Sequence, residues 1–586
     1  MKAAQHGGGA GGLVRRMAEQ RKTLGAIMAE ASRDQEASES KLSLVDLLAI
    51  GIGSTIGSGV FVLTGNALPI AGPSAVVAWL LAGLVCLFSS LAYMELSARL
   101  PTKGSCYVFS YHGLGELASV IGAVCLTMEY GISGSGVARS WSGQLFALTG
   151  NWWVMCYNGG APGEPGCNGD DDFYFDPLAG AMTALCAVVV ALGTDMGKLV
   201  INTFTAAKIC TVLFLIIAGL SLWTGNMFQS AATFAPTGAA GIVSATSVLF
   251  FGFIGFDEVC CMASKAKDPA KTMPKALAGT LLGAAILSGT AQLALAAMVP
   301  WTESMTSIAF PQAFGQQGWQ WAKWLVSVAE LALLPLVVLL SILPQPELMA
   351  AMSEDGVLPS VFRKSTRGVY RRGTIIVGAV LSILAACVPF SVLWGVIEIG
   401  VLLSFNLTNA SLVQVRYGNG GSISEPRING LVWVMLGAAC VAGFTMYYGL
   451  MQPLMAGDHL QWPMSIISFV TLAIAFAAAL AVSRCEVKCD MRDPAIFKAF
   501  GVPFIPCLAM FFNFFLIAAI EPRNLLYFGV FLVFIVGLYV AYIVGKRGQG
   551  DCSAKSERNI DVPQVDLVDT PASEGESTSG SSARNT

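Results

Sequence analysis

The chain has 586 residues, of which 55% are hydrophobic and 12% are charged, and its mean hydropathy is +0.65. Soluble domains usually carry about 25% charged residues, so this composition excludes a soluble globular protein and indicates an integral membrane protein. The formal net charge of −3 says little by itself, and we predict no nucleic-acid partner.

Apolar windows recur along the chain between two polar tails. A window of about 20 apolar residues is long enough for a helix to cross a bilayer, and the chain contains about fourteen of them. The predicted spans are 44–65, 74–98, 116–148, 178–193, 199–223, 241–263, 275–299, 324–350, 373–391, 393–416, 430–450, 462–483, 503–521 and 524–545. With a cytoplasmic N-terminus, most Lys and Arg residues fall in cytoplasmic loops, as the positive-inside rule requires. The even number of spans then places the C-terminus in the cytoplasm as well.

The two tails are not predicted to span the membrane. Residues 1–42 contain no compact apolar core followed by a small-residue cleavage site, so we expect the first span to insert as an anchor rather than as a cleaved signal. Residues 547–586 are rich in Ser, Glu and Asp, which predicts a disordered segment.

A run of small residues interrupts the first predicted span, in the stretch GIGSTIGSGVFVLTG from Gly51 to Gly65. Lipid offers no hydrogen-bond partners, so non-helical backbone inside the bilayer persists only where protein or a water-filled cavity satisfies it. A second interruption, FFGFIGF from Phe250 to Phe256, lies in the sixth span, at the corresponding place in a second half of five spans. The two matching breaks predict a transporter. The alternative is that the spacing of Gly53 and Gly57 only lets two helices pack closely.

The breaks also predict how a substrate binds. An unwound helix supplies freed N–H groups for a carboxylate and freed carbonyl groups for an ammonium, the two charged groups of an amino acid. We assign the carboxylate to the first break and the ammonium to the second. The predicted donors are the N–H groups around Gly57, Ser58 and Gly59 with the Ser58 hydroxyl, the predicted acceptors are the carbonyls of Phe251, Gly252 and Ile254, and Ile56 and Phe253 complete the site.

Charged side chains inside predicted spans need a partner or a cavity, because a charge is expensive in lipid. Glu95 and Arg99 lie four residues apart near the inner end of the second span, so we predict that they form a local ion pair with a gating or structural role. Glu129, in the third span, is a candidate substrate-binding carboxylate, and the alternative is a structural pair with Arg139. Asp257 and Glu258 follow the second break, where a carboxylate is predicted to cap freed backbone or to touch the cavity, and we assign Asp257 as a gate or structural residue.

Lys208, in the fifth span, is a candidate coupling residue. A desolvated ammonium group is disfavoured and tends to lose its proton unless a partner is close, which makes it chemically useful. The alternative is that Lys208 lies near the inner end of its helix and extends its ammonium group to the membrane surface. The sequence position of Lys208 is compatible with both interpretations.

Most of the 15 cysteines lie in apolar spans, where a small buried hydrophobic residue is the default interpretation. Cys156 and Cys167 differ, because they lie in the polar stretch from Gly150 to Pro177, which is predicted to be outside the cell or in a lumen. A disulfide between these two residues and a pair of free thiols are both open.

Several motifs together resemble the cationic amino acid transporters of the amino acid–polyamine–organocation superfamily. The resemblance runs from about Leu42 to about Lys546, and the early and sixth-span motifs are specific only in combination. The motifs are GIGSTIGSGVFVLTG followed by AGPS, AYMELSARLPTKGSCYVFSY, MEYGISGSGVARSWSG, FFGFIGFDEV followed by DPAKTMP, AMSEDGVLP and FGVPFIPCLAMFFN.

The resemblance implies an all-α polytopic fold of the leucine-transporter type. It divides the chain into a cytoplasmic N-terminal tail (1–42), a first inverted repeat of five helices (43–223), a second repeat (241–416), four additional helices (430–546) and a disordered cytoplasmic tail (547–586). It also implies that Glu129 borders the substrate pocket and that Lys208 stands where sodium binds in sodium-coupled members. Two motifs depart from the family pattern: Ser264 and Lys265 replace acidic residues, and LPQPELMAAM replaces a Pro-Arg motif.

We predict a secondary transporter that moves Arg, Lys or ornithine by alternating access, independently of sodium, with protons as a further candidate partner. A proton-coupled carrier of small neutral amino acids and a non-transporting amino acid receptor remain as alternatives. The sequence contains no phosphate-binding loop, clustered metal ligands or nucleophile–base spacing, so we expect no enzyme activity, catalytic residue, cofactor or metal. The expected setting is the lipid bilayer of the plasma membrane, with a vacuolar or lysosomal membrane as the alternative.

Overall fold

The computed structural model describes residues 20–37, 41–57, 59–149, 155–156, 174–192, 198–223, 225, 229–301, 309–363, 371–418, 426–488 and 496–548. Two predicted functional residues, Ser58 and Cys167, lie outside these ranges, as does the predicted C-terminal tail beyond residue 548. The chain divides into one compact unit that ends at Val536 and a second that begins at Gly537.

The first half of the described chain is helical apart from one short strand pair. Its helices are α1 Leu24–Ala37, α2 Leu44–Thr55, α3 Thr64–Ala71, α4 Ala75–Arg99, α5 Cys106–Gly113, α6 Glu116–Thr127, α7 Ser133–Thr149, α8 Pro177–Ala191, α9 Lys198–Ser221, α10 Ala231–Phe234 and α11 Gly238–Phe250. The strands β1 (Met155–Cys156) and β2 (Tyr174–Phe175) are antiparallel, with Met155 opposite Phe175. Cys156 therefore lies in β1, and its pairing with Cys167 stays a prediction.

The second half continues with helices of similar length. They are α12 Glu258–Cys261, α13 Pro269–Met298, α14 Phe310–Gln316, α15 Gln320–Ile342, α16 Gln345–Glu354, α17 Arg371–Cys387, α18 Phe390–Tyr417, α19 Pro426–Met446, α20 Gln452–Ala456, α21 Trp462–Ser483, α22 Phe504–Ala518 and α23 Pro522–Gly548. Short π turns separate α2 from α3 (Gly59–Leu63) and α6 from α7 (Met128–Ile132), and a 3₁₀ turn (Phe251–Phe253) follows α11.

Eleven helical segments of the described chain are long and apolar enough to cross a membrane, and two shorter apolar helices, α8 and α22, accompany them. Each predicted span overlaps a helix, and the predicted span 373–391 corresponds to α17, which has 17 residues. The all-helical polytopic architecture is therefore confirmed. The count of about fourteen spans stays a prediction, because the shorter helices fall below the length of about 20 residues that a straight crossing requires.

Packing between the two halves places both helix breaks in the interior. Helix α2 packs on α9 and α13, α4 packs on α11 and α13, and α15 packs on α7. The π turn at Gly59–Leu63 contacts the 3₁₀ turn at Phe251–Phe253 directly. The two interruptions, far apart in the sequence, therefore meet in one place.

The predicted pair of Glu95 and Arg99 is present, with Arg99 Nε 2.9 Å from Glu95 Oε1. It belongs to a larger buried cluster, because Arg416 on α18 donates to both oxygens of Glu95 and its Nε lies 2.8 Å from Oε1. The backbone N–H of Ala499 also donates to Glu95, at 2.8 Å. This carboxylate therefore joins α4, α18 and the segment before α22, while a role in gating stays a prediction.

Candidate substrate site

The first helix break begins where α2 ends at Thr55. Ile56 leaves helical geometry, with φ −80° and ψ 87°, although its N–H still donates to the carbonyl of Ile52 at 2.8 Å. The Gly57 N–H donates to the carbonyl of Thr55 at 3.1 Å. A carboxylate that bound to the Gly57 N–H would therefore have to share or replace this bond.

The second break begins after α11. The 3₁₀ turn at Phe251–Phe253 is followed by Ile254 in extended conformation (ψ 143°) and by Gly255 at φ +104°, a conformation that favours glycine. The carbonyl of Phe251 accepts from the N–H of Ile254 at 3.0 Å. Asp257 occupies the N-cap position of α12 without a side-chain capping hydrogen bond.

The two breaks touch through glycine. A Cβ atom added to Gly59 would lie 2.9 Å from the Cα of Gly252, and one added to Gly252 would lie 2.1 Å from the Cη2 of Trp79. The hydroxyl of Ser54 also lies 3.3 Å from the carbonyl of Gly255, so that it links the end of α2 to the second break. Only residues without a side chain at positions 59 and 252 allow this close approach.

A cavity lies between the breaks, and the space in it that water can occupy is about 30 Å³, enough for about one or two water molecules. Ligand pockets commonly measure about 300–1,000 Å³, so the two breaks must move apart before an amino acid can enter. Of the predicted site residues, Gly59, Glu129, Phe251 and Ile254 line this cavity. The lining residues that sequence analysis did not assign to the substrate site are Ser54, Thr55, Ser133, Val137, Glu258, Val337 and Ser341.

Four predicted residues are described but do not line the cavity. The Ile56 side chain joins a buried apolar cluster, and Phe253 packs edge-on against Trp79 with ring centroids 5.4 Å apart. Gly57 lies beneath Val337, and Gly252 lies beneath Trp79. These four residues pack within or against the two helix breaks and do not face the cavity.

The spacing of residues on one helix face could have identified some of the lining residues that sequence analysis missed. Glu129, Ser133 and Val137 follow each other at helical spacing, so a cavity beside Glu129 is also bordered by the other two. Val337 and Ser341 show the same spacing on α15. Which face of α15 meets the cavity depends on packing, and the sequence alone does not indicate it.

The cavity is acidic. Glu129 is fully buried, and its carboxyl group lies within hydrogen-bonding reach of the carboxyl group of Asp257. Glu258 also lines the cavity, and both Asp257 and Glu258 are close enough to interact electrostatically with Glu129. The alternative pairing of Glu129 with Arg139 is not observed, because the Arg139 guanidinium donates to the carbonyls of Ala385 and Ala386 at 2.7 and 2.8 Å.

Lys208 lies behind the first break. Its ammonium group donates to the carbonyl of Gly53 at 2.6 Å, and the residue is only 1% exposed. Glu258 interacts with it electrostatically. Lys208 therefore contacts the broken helix inside the bundle and does not extend to the membrane surface.

A second cluster lies on the predicted cytoplasmic face, where the segment before α1 crosses the bundle. The Lys22 ammonium lies 2.6 Å from Glu30 and 2.9 Å from Asp355 at the end of α16. Tyr107 on α5 donates to Asp355 at 2.9 Å, and the ring of His112 lies 2.9 Å from the Lys22 carbonyl. These bonds hold the N-terminal segment against two other parts of the chain.

The two motifs that depart from the family pattern contact each other on the same face. The ammonium of Lys265 lies 2.6 Å from the carboxylate of Glu347 in the LPQPELMAAM segment. Leu42 makes two backbone hydrogen bonds beside this ion pair. Its N–H donates to the Lys265 carbonyl at 2.8 Å, and its carbonyl accepts from the Lys267 N–H at 2.9 Å. The two side chains are complementary in charge, and their ion pair joins α16 to the turn after α12.

We expect the N-terminal contacts to weaken in acid. Burial lowers the pKa of His112 below its ordinary value, the bond to Lys22 opposes this decrease, and the charge of Arg21 adds to it. Because the docked state disfavours a proton on His112, docking loses stability as the pH falls below about 6.5, the ordinary pKa. Hydrogen exchange of residues 20–37 should therefore accelerate between pH 7 and pH 5.5.

His112→Gln provides the control for this pH dependence, because glutamine cannot titrate. We expect the variant to show the same exchange rate at both pH values after correction for the intrinsic chemical rate. An unchanged acceleration in the variant would assign the pH dependence to another group and contradict the prediction.

The fold and the cavity define a polytopic helical membrane protein with a buried acidic pocket between two broken helices. The sequence model of the amino acid permease family matches residues 42–478. The chain belongs to this family and, within the amino acid–polyamine–organocation superfamily, to its cationic amino acid transporter branch. The resemblance inferred from the motifs is confirmed.

Three relatives illustrate the similarity. The chain is 32% identical over 397 residues to cationic amino acid transporter 3, mitochondrial, of Arabidopsis thaliana, covering 66% of this chain and 64% of the relative. It is 31% identical over 408 residues to cationic amino acid transporter 4 of Mus musculus, covering 66% and 61%. Cationic amino acid transporter 1 of Arabidopsis thaliana is 26% identical over 515 residues, covering 86% and 83%. The first two matches thus span less than two thirds of the relatives' length.

Proposed function

We propose that this protein is a secondary transporter that moves cationic amino acids such as arginine, lysine and ornithine across a membrane by alternating access. The observation that carries the proposal is the charge of the cavity. Two carboxylates, Glu129 and Glu258, line it, and none of its described lining residues is basic. The names of the relatives support the same substrate class.

The charge of the substrate complements that of the cavity. A cationic amino acid carries two cationic groups and one carboxylate, whereas a neutral amino acid carries one of each. Two acids that share a buried cavity without a cation between them are strongly unfavourable, and a ligand with two cations offsets that cost better than a ligand with one. The substrate carboxylate would face the start of the turn at Gly59–Leu63, because the N-terminal end of a helical turn, and not the C-terminal end of α2, presents free N–H groups.

The arrangement of the breaks supports an alternating-access mechanism of the leucine-transporter type. One break lies in the proposed first repeat (43–223) and the other in the proposed second repeat (241–416), and they meet at Gly59 and Gly252. Small rotations of one repeat against the other would change this contact and open the cavity to one side at a time. The helices from 430 to 546 would form an additional layer outside the two repeats.

The two altered cytoplasmic motifs bear on the receptor alternative. The ion pair between Lys265 and Glu347 shows that the departures from the family pattern complement each other. A carrier would have to separate this pair when the cytoplasmic side opens, and the names of the relatives favour a carrier over a receptor without flux.

The proposal is tested by uptake into vesicles that contain only the purified protein. Radiolabelled arginine should accumulate or exchange, and unlabelled lysine and ornithine should compete, while alanine should not. Uptake of alanine without arginine would support the neutral amino acid carrier. Saturable arginine binding without accumulation or exchange in the same vesicles would support the receptor.

Lys208 provides the basis for a prediction on coupling. Its ammonium group already occupies a position beside the Gly53 carbonyl, so we expect replacement of sodium by choline to leave arginine uptake unchanged. Lys208→Met should lower uptake at least about tenfold, because a buried hydrogen bond to a charged group contributes roughly 1.5–3 kcal/mol. Initial rates in vesicles with imposed pH and voltage gradients provide the measurement.

Lys271→Met is a suitable control, because Lys271 is 63% exposed and pairs locally with Asp268. We expect this variant to transport at the wild-type rate. Loss of wild-type uptake when sodium is removed would contradict the assignment of Lys208 to the cation position.

A further inference from the structure

An aromatic stack lies against one wall of the cavity. The ring of Trp394, in the first turns of α18, lies on the ring of Phe251 with centroids 3.5 Å apart and planes inclined by 31°. Phe390 contacts the same tryptophan, with centroids 5.0 Å apart. Phe251 lines the cavity and Trp394 does not, so the tryptophan covers Phe251 from outside.

A partly buried acid holds the tryptophan in this orientation. The indole N–H of Trp394 donates to the carboxylate of Glu398, one helical turn further along α18, at 3.1 Å. Rotation of the indole away from Phe251 would break this bond as well as the stack.

The two rings belong to elements of different rigidity. Trp394 is part of a continuous helix that packs against α4, α5, α6 and α22. Phe251 belongs to the 3₁₀ turn of the second break, where the regular helical hydrogen bonds are interrupted. Any movement of that break relative to α18 must therefore separate the two rings.

We propose that Trp394 is a gating residue that closes the cavity by stacking on Phe251, and that Glu398 positions its indole for this contact. The proposal rests on the proposed transport function. It concerns the kinetics of entry and exit, so it does not depend on which amino acid is carried.

The key experiment measures the rates at which radiolabelled arginine binds to and dissociates from the purified protein. Trp394→Ala should accelerate both rates about tenfold, the effect expected when an aromatic stack and its hydrogen bond are lost. Because a lid slows entry and exit alike, Kd should change by less than about threefold. Net uptake should fall, since the closed state is less populated.

Two conservative variants separate the stack from the hydrogen bond. Trp394→Phe keeps a ring but lacks the N–H donor, and Glu398→Leu lacks the acceptor. Each should accelerate dissociation by an intermediate factor, and the double variant should not exceed the single ones, because both changes remove the same bond. Glu398→Gln retains an acceptor and should remain close to the wild type.

Trp433→Phe is the matched control, since Trp433 lies on α19, is 44% exposed and faces away from the core. An increase in dissociation rate with an equal increase in Kd would identify Trp394 as a substrate contact and overturn the lid. Wild-type rates in Trp394→Ala, or additive effects of Trp394→Phe and Glu398→Leu, would overturn it as well. If Trp394→Ala does not fold, the dissociation rates of Trp394→Phe and Glu398→Leu test the proposal instead.

A measurement without ligand keeps this test separate from the proposed function. Hydrogen exchange of residues 250–257 in the ligand-free protein should be faster in Trp394→Phe and Glu398→Leu than in the wild type and in Trp433→Phe. If the wild type binds alanine but not arginine, the proposed substrate class fails and the same rates measured with alanine still test the lid. If neither arginine nor alanine binds, hydrogen exchange of residues 250–257 still tests the lid. Unchanged exchange in Trp394→Phe and Glu398→Leu would then overturn it.

Discussion

Replacing Gly252 by alanine is expected to abolish transport and to lower the stability of the protein. The added Cβ would lie 2.1 Å from the indole of Trp79, which is fully buried and donates to Gln292 at 3.2 Å. The indole is therefore held and cannot give way without loss of this bond. Overpacking of this kind costs about 3 kcal/mol, and it would also separate the second break from Gly59. Thermal unfolding of the purified protein and arginine uptake measure the two effects.

Gly289→Ala provides the matched control. Gly289 is a buried glycine of helix α13, and an added Cβ would meet no atom within 4 Å. Alanine is favoured over glycine in a helix interior by about 1 kcal/mol, so this variant should be as stable as the wild type or more stable. Normal transport by Gly252→Ala would show that the close approach of the two breaks is unnecessary.

Replacing Glu129 by glutamine is expected to weaken arginine binding about 100-fold. The Glu129 carboxylate lines the cavity, and no basic residue is among the described residues that line it. If it pairs with a cationic group of the substrate, loss of the charge leaves that group buried without its counterion, at a cost of about 3 kcal/mol. Binding of arginine to the purified variant, together with its uptake into vesicles, provides the measurement.

Glu330→Gln tests whether this effect is specific. Glu330 is also fully buried and has no hydrogen-bond partner among the described residues, but it does not line the cavity. We expect arginine affinity to remain unchanged in this variant. Unaltered affinity and rate in Glu129→Gln would eliminate the proposed role of Glu129. A loss confined to the pH dependence of alanine uptake would favour the neutral amino acid carrier.

Much of the site was predictable because its chemistry is local. Glycine-rich stretches in apolar windows indicated both helix breaks. Glu129 was recognisable because a charged side chain in a membrane span is unfavourable without a partner or a cavity. Lys208 was recognisable for the same reason, although only the structure shows its contact with the Gly53 carbonyl. The contribution of Glu258 was missed, because its position after the break suggested capping as readily as a place in the cavity.

The predicted ion pair of Glu95 and Arg99 illustrates the limit of local reasoning. The spacing of these residues on one helix was sufficient to predict their contact. Arg416, which also binds Glu95, lies 321 positions away. Its involvement depends on how α18 packs against α4, which no short-range pattern encodes.

The amino-acid sequence by itself determined the membrane location, the approximate positions of the spans and the two places where helices break, because hydropathy and glycine act over short distances. Tertiary structure alone decided that the breaks meet at Gly59 and Gly252, that Glu258 joins Glu129 in the cavity, and that Trp394 covers Phe251. These contacts depend on the rotation and offset of packed helices. Such quantities arise from many weak side-chain interactions summed over the whole bundle, so no single segment of the chain reveals them.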